Sequence, residues 1–418
     1  MIVELINTGS ELMLGRVLNT HQQWLCRHLA DLGYVVSRQV AVPDAGPAIQ
    51  DAVRESLSRA DLIVVTGGLG PTSDDITRDL IAQLLGRSLR EDPAIVERIR
   101  SYFESRKRPM PETTRLQAQV PEGAIVLPNP NGTAPGLAMP IAANPFRAGK
   151  SALLVMLPGP PRELHPMFSD SVVPLLRKHL PLPGVFACRT LRSIGIGESV
   201  VQEMVAPALQ TLVDQGLEIG YCARPGRVDV RVSSTAEDGA RVVKEAEDIV
   251  AAKLGKNLYG FEEDDLETAV IHLLTARGQT LSLAESCTGG YISHLLTNVP
   301  GASAVLLAGL VTYSNAAKQR FVGVNQSTLE SHGAVSDPVV REMAEGARRE
   351  TGSDYALAVT GIAGPSGGTP EKPVGTVFIA LARAGETIVL KQQNAYDRET
   401  FKQVTAQQAL DLLRRTLA

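Results

Sequence analysis

The sequence predicts an α/β protein with a small α+β module between two α/β units. Three observations carry this. Short apolar runs alternate with amphipathic stretches at both ends of the chain. Several of those runs stop in Gly-rich turns. Between the two ends, Val228, Val230 and Val232 alternate with charged residues, as in a half-buried antiparallel strand. A chain of 418 residues holds more than one domain. The expected division is 1–168, 169–258 and 259–418.

The first unit opens with a strand at Ile2–Thr8 that ends in Gly9. Leu18, Leu25, Leu29 and Leu32 then recur at helical spacing, and Gly33 stops that helix. Tyr34–Val42 reads as a strand, Pro47–Ala60 as an amphipathic helix and Asp61–Thr66 as a buried strand. This order implies a parallel sheet covered by helices. Ser151–Leu157 adds another buried strand. Ser169–Gly184, rich in Pro and Leu, reads as a linker. From Phe186 to Leu254 the pattern is strand, helix, strand, strand, helix.

The acidic stretch Phe261–Glu267 reads as the turn into the last unit, with Asp264 or Asp265 at a helix start. Strands follow at Thr280–Ala284, Ala304–Thr312 and Asp354–Thr360. Helices are expected at Tyr291–Thr297 and Pro338–Thr351. Val374–Leu381 and Thr387–Gln392 form an antiparallel pair, and an amphipathic helix closes the chain from Arg398 to Leu417.

Composition narrows the function. Hydrophobic residues at 44% and charged residues at 21% are the balance of a globular chain. A net charge of −4 disfavours a non-specific DNA binder. The apolar run 302–311 is shorter than the ~20 residues a membrane helix needs. No basic segment followed by an apolar stretch opens the chain, so no signal peptide is expected. Four cysteines without CxxC spacing point to a reducing cytoplasm. The histidines show no HExxH pattern, so a tightly bound transition metal is not indicated; a carboxylate-bound divalent cation stays open.

Two loop sets carry the chemistry. In the first unit, Thr66–Asp75 (TGGLGPTSDD) lies between a buried strand and a helix. Gly67, Gly68 and Gly70 allow backbone N–H groups to approach an anion, with Thr72 beside them. Asp74 and Asp75 could hold a cation against a phosphate, or one of them could simply cap the helix. Loops at the carboxyl ends of parallel strands converge. Asn7, Thr8, Glu11, Asn131 and Thr133 are therefore expected at the same site. Arg162 and Glu163 lie at another strand end, where ordinary helix-start roles compete.

In the last unit, AESCTGG places Ser286 before Thr288, Gly289 and Gly290, whose N–H groups could stabilise an oxyanion. A serine nucleophile needs a base, and VTYSNAAK supplies Tyr313 and Lys318. A lysine of depressed pKa can serve. Thr360 and Gly361 end a further strand. Cys287 is the rival nucleophile, with a buried packing role as its alternative. In the middle module Arg189, Arg192, Arg224, Arg227 and Arg231 could form a basic face. That module lacks a GxxG loop, and direct nucleic-acid binding is not expected.

Together these segments resemble the CinA family of bacterial competence/damage-inducible proteins. TGSELMLG, VLNTH, TGGLGPTSDD, NPNGTAPG, LPGPPREL, SIGIGES, AESCTGG, VTYSNAAK, HGAVS, AVTGIAGPSGGTPEKPVGTV and DRE run in family order over nearly the whole chain. The departure is local, at Ser10 and Leu12 around Glu11. The resemblance implies a domain like molybdopterin-binding (MoCF-like) domains, a KH-type module and a nicotinamide mononucleotide deamidase domain. It implies hydrolysis of nicotinamide mononucleotide to nicotinate mononucleotide and ammonia, without a cofactor. The implied roles there are Ser286 as nucleophile, Lys318 and Tyr313 beside it, Thr360 on the substrate and Arg398 on its phosphate. For the first domain the resemblance implies ADP-ribose pyrophosphatase activity with a divalent ion (Mg, Mn or Co), within pyridine nucleotide salvage. It also implies a homodimer. The alternative is a nucleotide- or pterin-binding accessory protein, linked to competence and recombination, that does not turn over its ligand in the first domain.

Overall fold

The computed structural model describes residues 1–182 and 186–418. Gly184, the expected end of the linker, lies outside the described residues. Contacts divide the chain into Met1–Phe186 and Ala187–Ala418.

The first unit is built on a mixed sheet. Its strands are β1 (Val3–Thr8), β2 (Val36–Val42), β3 (Leu62–Thr66), β6 (Ile125–Leu127), β7 (Gly136–Ile141) and β8 (Ala152–Leu157), in the order β2-β1-β3-β8-β7-β6. β4 (Leu89–Glu91) and β5 (Gln119–Pro121) pair separately. The pairs β1–β2, β1–β3 and β3–β8 are parallel, as expected. β7 runs antiparallel to β8, and β6 to β7; these two strands, not foreseen in the sequence, make the sheet mixed at that edge. That reversal returns the loop 128–135 to the carboxyl ends of β1, β3 and β8.

Helices cover both faces of this sheet. Leu25 and Leu29 of the helix Thr20–Asp31 pack on Val3, Leu5, Val64 and Val155. Ile49, Val53 and Leu57 of the helix Gly46–Leu57 pack on Ile6, Ile63 and Leu154. Alternating strand side chains thus feed two cores. Leu18, expected on the first helix, precedes its Asn19 cap and is exposed. The linker reading is corrected too. Residues from Phe168 to His179 are helical, and Phe168, Val172 and Leu176 are buried in the first unit's core. Pro174 stands in the first turn of the helix Val173–His179, where proline is tolerated, so Pro-rich composition misled.

The second unit begins with a four-stranded antiparallel sheet of β9 (Ala187–Ile194), β10 (Leu217–Arg224), β11 (Arg227–Ser234) and β12 (Leu258–Phe261), ordered β10-β11-β9-β12. The alternating strand is β11. It lies inside the sheet, paired on both sides, and not at the edge where an unpaired strand would invite a partner. The turn expected from Phe261 begins on a strand residue of β12. Asp265 precedes the helix Leu266–Arg277, as the sequence suggested.

A second sheet follows, of β13 (Leu281–Glu285), β14 (Leu306–Val311), β15 (Tyr355–Gly361), β16 (Thr376–Arg383) and β17 (Glu386–Gln393), ordered β14-β13-β15-β16-β17. Leu281, Leu283, Leu357 and Val359 meet the helices Leu266–Arg277 and Arg398–Leu417 on one face. Ala284, Ala356, Ala358 and Ala380 line the other face, where small side chains let the helix Asp337–Thr351 lie close. β13, β14 and β15 run parallel, so Glu285, Val311 and Gly361 end at one edge.

Candidate functional sites at the carboxyl ends of the two sheets

In the first unit the strand-end loops enclose a cleft of about 410 Å³. Thr8, Glu11, Gly67, Gly68, Gly70, Asp74, Asp75 and Thr133 line it, as the convergence of loops predicts. Gly68 has φ 66, and a Cβ there would collide with the Thr77 hydroxyl. Asn7 is buried instead, its Nδ2 donating to Thr66 Oγ1 at 2.6 Å. Asn131 Nδ2 is spent on Arg162 O at 3.0 Å. The Thr72 N–H and hydroxyl donate to Asp75 Oδ2, so Asp75 holds its own turn. Asp44 and Gln117, which no sequence motif marks, also line the cleft, as does Glu163, for which a helix-start role competes in the sequence. Glu163 is buried and accepts from Asn129 Nδ2 at 2.8 Å; Gly132 leaves room for its carboxylate.

No Lys or Arg lines this cleft among the described residues. Nor do the described residues bring three His, Cys, Asp or Glu together as a metal cluster. The carboxylates therefore share the cleft without forming a closed cage. An all-oxygen donor set of this kind fits a hard cation that keeps waters and takes further ligands from a phosphate. It does not fit a cation held by protein alone.

In the second unit the edge formed by β13, β14 and β15 brings Ser286 to Lys318. Ser314 caps the helix Asn315–Val322, accepting from Ala317 N at 3.1 Å. That cap aims Lys318 inward, and its side chain is 1% exposed. Lys318 Nζ lies 3.1 Å from Ser286 Oγ, 2.9 Å from Thr312 O and 3.4 Å from Tyr313 O. No carboxylate among the described residues forms an ion pair with it. Burial pushes its pKa below the ordinary lysine value, against a smaller opposite effect of Cys287. Cys287 is itself buried, and its thiol is pushed up to about 12, so it is protonated at neutral pH.

Two of the three expected oxyanion N–H donors, those of Gly289 and Gly290, are engaged elsewhere. Gly290 N donates to Glu285 Oε2 at 3.0 Å and Gly289 N to Ser286 O at 3.1 Å. The Thr288 hydroxyl is spent on Glu285 Oε2 at 2.8 Å. Glu285, missed in the sequence, takes up the Thr288 hydroxyl and Gly290 N of this turn. Its place one residue before Ser286, three before Thr288, was the available signal. Tyr313 offers Lys318 its carbonyl; its phenol is exposed and accepts from Arg398 Nη2 at 2.9 Å. Arg398 Nη1 reaches Gly364 O at 3.0 Å, which places Arg398 at the same edge. Thr360 is buried with its hydroxyl on Ala334 O at 2.9 Å, and Gly361 follows it on β15.

The arginines of the middle module are engaged with neighbouring groups. Arg189 meets Glu247 and Glu262, Arg192 meets Asp265, Arg224 meets Asp229, and Arg231 Nε donates to Cys188 Sγ. Arg227 lies 4.0 Å from Asp265.

Comparison with known proteins agrees with this architecture. Residues 4–178 match a probable molybdopterin binding domain, residues 188–260 the damage-inducible protein CinA KH domain, and residues 263–417 the CinA C-terminal domain. A CinA-like protein of Akkermansia muciniphila is 46% identical over 98% of this chain and 95% of its own. A competence-damage inducible protein of Symbiobacterium thermophilum is 43% identical over 100% and 99%. Among solved structures, competence/damage inducible protein CihA from Agrobacterium tumefaciens is 43% identical, covering 35% of this chain and 91% of its own at a TM-score of 0.35. With two relatives above 40% identity along their whole length, and with all three domains matched in order, the chain belongs to the CinA family.

Proposed function

We propose that the second unit hydrolyses the carboxamide of nicotinamide mononucleotide, giving nicotinate mononucleotide and ammonia. The observation that carries this is the contact between Lys318 Nζ and Ser286 Oγ at 3.1 Å, with no carboxylate paired to the lysine among the described residues. A neutral lysine in this position donates N–H to Thr312 O and Tyr313 O and turns its lone pair to the serine hydroxyl. Ser286 Oγ attacks the carboxamide carbon while its proton passes to Lys318. Lys318 then protonates the leaving nitrogen, and ammonia departs from an acyl-serine. Water attacks that ester as Lys318 takes its proton; Lys318 returns that proton to Ser286 Oγ as the ester bond breaks, and the nicotinic acid product loses its own proton to solvent and leaves as the carboxylate. Thr360, Gly361 and Arg398 are the substrate contacts in this reading, Arg398 toward the phosphate.

For the first unit the proposed activity is metal-assisted hydrolysis of ADP-ribose. Glu11, Asp74 and Asp75 would hold a Mg, Mn or Co ion, which when bound supplies Lewis-acid polarisation of the pyrophosphate. A cleft lined by five carboxylates repels an anionic substrate unless a cation lies between. One observation favours the alternative of ligand binding without turnover: the carboxylates are not gathered into a three-residue cluster.

The thiols of Cys26, Cys222 and Cys287, none of them in a disulfide, support placing both reactions in a reducing cytoplasm. The engaged arginines of the middle module support leaving direct nucleic-acid contact out. Product analysis with both nucleotides tests the whole reading. Nicotinate mononucleotide and cleaved ADP-ribose are expected from the intact protein, and absence of either product removes the corresponding activity.

A further inference from the structure

Glu285 is the last residue of β13 and is 1% exposed. A buried carboxylate is costly unless its acceptor positions are filled. Here they are filled by five donors. Oε2 accepts from the Thr288 hydroxyl at 2.8 Å, Gly290 N at 3.0 Å and Ile292 N at 3.0 Å. Oε1 accepts from Ser293 N at 2.8 Å and the Ser293 hydroxyl at 2.6 Å. None of these donors is a lysine or arginine. The charge is therefore spent on the turn and on the first residues of the helix Tyr291–Thr297, not on Lys318 next door.

The segment so held contains Ser286. Its backbone is fixed from the other side by Ser286 N donating to Val359 O at 3.1 Å. The main chain of Glu285 reaches the base as well: Thr312 N donates to Glu285 O at 2.8 Å, and Thr312 O accepts from Lys318 Nζ at 2.9 Å. One residue thus joins the turn that carries the nucleophile to the strand end that orients the base. We propose that Glu285 is a positioning residue: its carboxylate sets the 286–293 turn so that Ser286 Oγ stands within hydrogen-bond reach of Lys318 Nζ. This rests on the reading of Ser286 as the nucleophile.

An amide in place of the carboxylate keeps the size but turns an NH2 group toward N–H donors, so Glu285→Gln loosens the turn. The test is phosphonylation of Ser286 by a fluorophosphonate, which forms an Oγ–P bond and expels fluoride, followed by intact mass, on wild type, Glu285→Gln and Ser286→Ala. Glu285→Gln is expected to label about 10- to 100-fold more slowly, with kcat for nicotinamide mononucleotide falling in parallel and KM little changed. Labelling at the wild-type rate overturns the proposal. A rise in KM at unchanged kcat overturns it as well. If Glu285→Gln does not fold, Thr288→Val and Ser293→Ala each remove a side-chain donor while keeping the carboxylate. Slower labelling of either supports the proposal, and wild-type rates in both overturn it. A wild-type protein that is never labelled at Ser286 instead removes the nucleophile reading itself.

Discussion

Lys318 Nζ stands 3.1 Å from Ser286 Oγ, and its other two contacts are the carbonyl oxygens of Thr312 and Tyr313. Carbonyls accept but cannot donate, so they orient two N–H bonds and leave the third direction for the serine. The ammonium form has no counter-charge paired to it among the described residues, and burial favours the neutral amine. The geometry and the depressed pKa both support the proposed role of Lys318 as a base rather than an electrostatic anchor.

Loss of either partner should stop amide hydrolysis alone. Ser286→Ala is expected to abolish nicotinate mononucleotide formation and to leave ADP-ribose hydrolysis intact. Lys318→Arg keeps a charge but cannot release its proton, so kcat should fall by about 10²–10⁴-fold. Retention of most of the rate in Lys318→Arg would make the lysine an electrostatic partner only.

The same burial gives a signed pH dependence. Deamidation should rise with pH through the lowered pKa of Lys318 and level off below the ordinary lysine value of ~10.4. Stability should follow the same direction. Folding disfavours the ammonium form, so the unfolded chain binds more protons between the two pKa values, and stability rises with pH across that window. Lys318→Met removes the penalty. It should melt higher than wild type at pH 7 while losing activity, and a scanning calorimeter reads the difference. A lower melting temperature would show that the contacts of Nζ outweigh its burial.

Cys287 should be chemically silent. Its thiol is pushed up to about 12 and shielded from solvent, whereas Cys222 is exposed. Iodoacetamide at pH 8 should modify Cys222 and spare Cys287, as read by peptide mass, with deamidation unchanged. Cys287→Ala should keep the activity within a few-fold. Loss of deamidation in Cys287→Ala together with its survival in Ser286→Ala would exchange the two roles.

How much of this was legible in the sequence differs by element. Strands ending in Gly-rich loops could be read because apolar runs and glycine carry their own signal. Phe186–Leu254 read correctly because period-two alternation at β11 is a local pattern. Its position inside the sheet was not legible, since pairing partners are set by tertiary contacts. Residues 168–179 were misread because proline at a helix start looks like proline in a linker. Ser286 and Lys318 could be named from their motifs. Glu285 had only its place beside Ser286 as a signal, and a carboxylate at a strand end does not by itself tell which donors it will meet. Its role appears only when the chain folds back and five donors converge on it.

The protein is expected to be a homodimer. An alternating strand such as 227–233 would invite a second copy if it lay at a sheet edge, but β11 is paired on both sides, so the expectation stands on family resemblance. Light scattering across a tenfold concentration range should give twice the mass of the 418-residue chain, and a monomer mass throughout would remove the expectation.

The carboxylates of the first unit separate by what each already does. Asp75 accepts from the Thr72 N–H at 2.9 Å and from the Thr72 hydroxyl, so its removal should cost about 1 kcal/mol of stability as well as activity. Asp74 is exposed and lines the same cleft. Asp74→Asn should leave the melting temperature unchanged and depress ADP-ribose hydrolysis, with part of the loss recovered at higher metal concentration. Glu11→Gln should behave likewise. Chelator in excess should stop ADP-ribose hydrolysis and leave deamidation untouched, because the proposed Ser286–Lys318 chemistry requires no cation. Full ADP-ribose turnover in chelator would show that the cleft handles the pyrophosphate through its glycine-rich backbone alone. Equal loss of both activities in chelator would show that the cation serves folding rather than chemistry.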